Sequence, residues 1–217
     1  YLDSADFGAI VRDLHNDALL LLADFGAPPA GFVPKDGLAG MDVYAANRAI
    51  MQAPLRLSQH AAAGYRPYTE IVTADYTLVS AASAAAWGLP YDPSGDAWQV
   101  QPAPADRRSA GLLADSWIFQ RHDSTRTSAN RGRANAIARA FLCVDFLDRD
   151  LEVDSTVNLA DPNVVADAVR DNETCAACHQ TLDPLASFFW GYKPAVPPLI
   201  ASYPLDNYAE NYFTNVL

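Results

Sequence analysis

Apolar side chains along this chain recur mostly at spacings of three and four, the period of a helix packed on one side. In residues 6–23 the stripe is Phe7, Ile10, Val11, Leu14, Ala18, Leu21 and Leu22, which predicts an amphipathic helix. Residues 25–40 hold Gly26, Pro28, Pro29, Gly31, Pro34 and Gly37 and read as a loop. Residues 41–63 return to a helical pattern, interrupted near Pro54, with Leu55, Leu57, Ala61 and Ala62 as an inner face. Residues 66–79 are rich in β-branched and aromatic side chains, yet Thr69 to Val72 equally suit the start of a short helix, so the element type stays open. Residues 80–88 predict an alanine-rich helix that stops at Gly88, and residues 89–104 a second loop.

An apolar pattern resumes over 111–121 through Leu112, Leu113, Trp117, Ile118 and Phe119, followed by a polar loop over 122–127. Residues 130–145 predict a clear helix with Ala134, Ile137, Ala138, Phe141 and Leu142 inward and Arg131, Arg133 and Arg139 on the polar side. Asp161 suits a cap and Pro162 a first turn for a last helix whose apolar face is Val164, Val165, Ala168 and Val169. The expectation is a mainly α, loop-rich region without a long sheet. It is read as one region, with an N-terminal helical part over 1–105 and a second part over 106–217.

The chemistry concentrates near the end of this series, in Cys175-Ala176-Ala177-Cys178-His179. Two thiols three positions apart, followed directly by an imidazole, are what covalent haem attachment needs: the sulfurs add to the vinyl groups and the histidine binds iron. A thioredoxin-like pair would follow a strand, whereas the residues before Cys175 look helical. A zinc site would need a second pair of ligands, for which Cys143 and scattered histidines are a poor source. The reading is one covalent haem c with His179 as the proximal iron ligand. The rings after the motif, Phe188, Phe189 and Trp190, suit a haem wall, with Asp183-Pro184 supplying a turn, and an arginine of 131, 133 or 139 suits a propionate.

Composition narrows the partners. Fifteen Lys and Arg stand against 26 Asp and Glu in 217 residues, a net charge of −11, which argues against nucleic acid and suits a cationic partner protein. Half the residues are hydrophobic, enough for a sizeable core. The longest apolar run, residues 18–23, is far short of a membrane span. Cys143 stands among Ala140, Phe141, Leu142 and Val144, where a buried, inert thiol is expected. The chain starts at Tyr1 without a leader, so it reads as a processed product or a fragment of a longer chain.

Three stretches carry a resemblance. Arg66-Pro67-Tyr68-Thr69-Glu70-Ile71-Val72-Thr73-Ala74-Asp75-Tyr76-Thr77 resembles an "RPY-x-EI-x-TADYT" segment of exported multidomain proteins related to planctomycete-type cytochrome c. Thr127 to Arg133 with Phe141-Leu142-Cys143 is similar to their middle motif, and Cys175 to Pro184 to their closing "C-x-x-C-H-x-x-(I/L)-D-P" signature. The resemblance implies a helical, haem-bearing region of a periplasmic or extracellular protein.

Iron chemistry then depends on the sixth ligand. His60, at the end of a helix just before the Arg66 segment, is the first distal candidate, and His122, in a loop, the second; His15, Met41 and Met51 complete the set. The expected function is monohaem electron transfer in the periplasm or envelope with a redox partner protein. The alternative is a haem-bearing structural subunit of a larger envelope or extracellular assembly. A peroxidase-like enzyme would need a vacant iron face beside an acid/base group, and the sequence identifies no such pair.

Overall fold

The computed structural model describes residues 4–22, 38–103, 109–122, 130–148, 154–189, 193–194 and 201–202. The chain is mainly helical, as the hydrophobic pattern predicts. Its contacts divide it into two units, Tyr1–Arg121 with Tyr192–Pro204, and His122–Gly191 with Leu205–Leu217.

In the first unit, α1 (Ala5–Leu19) starts where the Ser4 side chain accepts the Phe7 N–H, and ends where Leu20 turns left-handed at φ 55°. The expected helix ran on to residue 23; instead the Asn16 side chain accepts the Leu22 N–H at 2.7 Å and closes the turn. Helix α1 lies against α3 (Ala53–Ala63) and buries Gly8, Val11 and Leu19. A Cβ on Gly8 would stand 2.4 Å from the Gln59 amide nitrogen, so the Gln59 side chain lies over this glycine. Ile10 and Leu14, expected inward, are exposed.

Helix α2 (Val43–Met51) is separated from α3 by Gln52, with Pro54 in the first turn of α3, where its missing N–H is not needed. The open segment resolves into both candidate types: α4 (Glu70–Thr73), then strand β1 (Tyr76–Val79). Strand β2 (Gln99–Pro102) pairs antiparallel with β1, Tyr76 opposite Pro102 and Val79 opposite Gln99. The loop expected over 89–104 thus carries a strand whose four residues have little pattern of their own; the β1 ladder makes it. Helix α5 (Ala81–Trp87) has a Ser80/Ser83 capping box and stops at left-handed Gly88. Leu38, Ile50, Val79, Ala84 and Trp87 share a core, each large side chain contributing roughly 1.5–3 kcal/mol by burial. Helix α6 (Ser116–Arg121) is tied to the end of α1 by Trp117 Nε1 donating to the Leu21 carbonyl at 2.8 Å. Two short strands, β3 (Lys193–Pro194) and β4 (Ala201–Ser202), pair antiparallel.

In the second unit, α7 (Arg131–Ile137) passes into a π-helix, Ala138–Leu142, closed by Cys143 in a left-handed conformation at φ 53°. The wider turn changes which way the following side chains point. Leu142 is exposed and so is the Cys143 thiol, where the sequence predicted an inward leucine and a buried cysteine. Helix α8 (Pro162–Asp171) is capped by Asp161, as expected. Helix α9 (Glu173–Ser187) is capped by Asn172, whose Oδ1 accepts the Thr174 and Cys175 N–H groups at 3.1 and 3.3 Å. It packs against α7 and α8 and runs through Pro184, where the sequence predicted a turn. Among the described residues no helix is long and apolar enough to cross a membrane.

Candidate functional site

Helix α9 carries Cys175, Cys178 and His179 at spacings of three and four, so one face holds both thiols and the imidazole. This is a helical setting, which removes the thioredoxin-like alternative with its preceding strand. Neither cysteine is in a disulfide; Cys175 is half-buried and Cys178 buried. One turn further on, Asp183 lies under His179, and its carboxylate is 2 % exposed.

Arg131, at the start of α7, meets that carboxylate with a fork: Nε to Oδ1 at 2.6 Å and Nη2 to Oδ2 at 2.9 Å. His179 Nδ1 lies 3.1 Å from each of the same two oxygens. Burial works against the Asp183 charge, but the hydrogen bonds from Arg131 and then His179 outweigh it and hold the carboxyl below its ordinary value. An ionised carboxylate can only accept, so the His179 Nδ1 that faces it carries a hydrogen. Nε2 makes no hydrogen bond among the described residues. The ring borders a cleft of about 350 Å³ between α8 and α9, lined also by Val169, Arg170, Ala176, Gln180 and Pro184.

The donor set fits a covalently held haem. Two thiols and an imidazole share a face, and the imidazole is oriented through its Nδ1, the arrangement that fixes a metal-binding histidine. Cys175 and Cys178 would hold the ring and His179 the iron. Among the described residues, no group of three or more His, Cys, Asp or Glu side chains is arranged to hold a bare metal ion.

The other predicted site residues fall elsewhere. His60, in the last turn of α3, belongs to the first unit. Its ring stands edge-on to Tyr76, 5.8 Å between centroids, and its Nε2 is buried without a hydrogen bond. Burial, then the Arg66 charge, push its pKa down against the pull of Glu70, so the ring is neutral. His122 is half-buried at the first residue of the second unit. His15 has both nitrogens engaged, by the Val11 carbonyl at 2.7 Å and the Tyr68 hydroxyl at 3.1 Å. The Met51 sulfur accepts from Asn47 Nδ2 at 3.3 Å inside the first unit, and Met41 is exposed. Trp190 lies outside the described residues.

Of the three arginines offered to a propionate, Arg131 is committed to Asp183, and Arg139 stands 4.0 Å from Asp145. Arg133 does not lie on a polar face: it is 1 % exposed and donates to Asn130 Oδ1 at 2.6 Å. Sequence reasoning passed over the pairing of Arg131, Asp183 and His179. Its legible half was the four-residue step from His179 to Asp183; the Arg131 contact joins residues 52 positions apart.

No family model, curated protein or solved structure matches this chain.

Proposed function

We propose that the chain is a monohaem c-type cytochrome that transfers electrons, exported and working with a redox partner protein. The observation that carries this reading is the shared face of Cys175, Cys178 and His179 on one capped helix, with His179 Nδ1 held by Asp183 and Nε2 free of hydrogen bonds. Bound there, haem would supply an iron that alternates between ferric and ferrous states. Cys175 and Cys178 would fix the ring to α9, and Asn172 keeps the first turn of that helix from fraying around them. His179 would offer the iron its Nε2, with the ring oriented through Nδ1. The net charge of −11 favours a cationic partner.

An absorption spectrum of the purified full chain, oxidised and then dithionite-reduced, tests the reading. Sharp α and β bands on reduction, with a covalent mass increment of one haem, are expected. A chain expressed with haem-attachment machinery that shows no Soret band overturns it, and a broad high-spin spectrum replaces electron transfer with chemistry at an open iron face.

A further inference from the structure

We propose that Asp183 and Arg131 form an opposed pair that sets the electron-donating strength of His179, and so the reduction potential of the bound haem; this rests on the cytochrome reading. The geometry has three parts. Asp183 is 2 % exposed, so its charge is poorly screened by water. Both its oxygens are 3.1 Å from His179 Nδ1, and no closer partner of that nitrogen exists among the described residues. Both are also taken by the Arg131 fork at 2.6 and 2.9 Å.

A carboxylate accepting the Nδ1–H shifts electron density towards Nε2 and strengthens that nitrogen as a donor. A stronger donor favours the ferric state and lowers the potential. Arg131 does the reverse, because its positive charge and its two hydrogen bonds draw the same carboxylate electrons away from the imidazole. Asp183 and Arg131 are positioning residues: both act through His179. One pulls the potential down and the other limits the pull.

The arrangement gives a prediction that general damage to the fold would not imitate. Asp183→Asn keeps the shape and an accepting oxygen but removes the charge, and shifts the midpoint potential positive. Arg131→Gln keeps a donor but removes the positive charge, leaves the carboxylate to His179, and shifts the midpoint negative. Spectroelectrochemical titration of the full haem-bearing chain and both variants reads the two shifts, with covalent haem confirmed by mass in each. Shifts of opposite sign are expected. Shifts of the same sign, or none, in chains that carry haem overturn this role and leave the cytochrome reading intact. A wild-type chain that takes up no haem overturns the reading and this role together.

Discussion

The same chemical theme is built twice, with opposite consequences. In the first unit Arg66 meets Glu70 at 2.7 Å, Glu70 accepts the Tyr76 hydroxyl, and His60 stands against the Tyr76 ring. In the second, Arg131 meets Asp183 and Asp183 meets His179. The first pair is open to water, with side-chain exposures of 44 % and 20 %, and the second is enclosed at 21 % and 2 %. An ion pair in water contributes little because solvent competes for both charges. An enclosed pair is costly to break, since the survivor is left as a buried charge. Burial, more than partner identity, separates the two clusters: one ties a surface turn, and the other holds the His179 ring.

That contrast can be broken most sharply at Arg131. Arg131→Ala should cost about 3 kcal/mol in urea unfolding, the usual loss when one member of a buried pair is removed. A change no larger than that of a surface substitution would mean that Asp183 is solvated and the contrast false. Next is Gly111→Ala. The Arg66–Tyr76 segment is positioned by backbone bonds from Gly111 N to the Ala74 carbonyl and from Leu112 N to the Ile71 carbonyl, both 2.9 Å. Gly111 has φ +52°, and a Cβ there would lie 2.1 Å from the Ile71 oxygen. The left-handed backbone alone costs roughly 1–2 kcal/mol for alanine, and the clash adds to it, so a clear drop in melting temperature is expected.

Tyr76→Phe has a smaller effect with a definite sign. The Tyr76 hydrogen bond, followed by Arg66, holds the Glu70 carboxyl below its ordinary range, while burial and the Glu70 bond push Tyr76 itself up to about 12. A carboxyl depressed in the folded state contributes stability at pH above its unfolded value and loses it as pH falls through the folded value. The Phe variant should therefore raise the Glu70 pKa in a ¹³C carboxyl titration and flatten that acid limb. No movement would remove Tyr76 from the cluster. Smallest of all, Arg66→Ala should leave the unfolding midpoint within the scatter of repeated measurements. A loss like that of Arg131→Ala would make the two clusters equivalent.

These two regions also show how far the sequence can be read. Helices α5, α8 and the interrupted α2–α3 pair were legible because their signals are local: Ser80 and Gly88, Asp161 and Pro162, Pro54. The thiols and His179 were legible as a motif. Strand β2 was not, because its pairing with β1 is a property of two segments. Neither was the exposure of Leu142 and Cys143, which follows from a π-helix that a 3.6-residue period cannot foresee. Ile10 and Leu14 were misplaced for a related reason. Hydrophobic spacing marks one face, but the buried residues of α1 are Gly8, Val11 and Leu19. In the site, Asp183 was on the page as part of a dipeptide, and its partner arrived only with tertiary structure.

Pro184 gives α9 a mechanical character. Having no N–H, it cannot donate to the Gln180 carbonyl, so the ladder lacks one rung beside the residue that holds His179. The helix behaves as two stiff rods, one bearing the thiols and imidazole and one a short stub, joined where bending is softest. Arg131 grips Asp183 next to that joint and so ties it to α7.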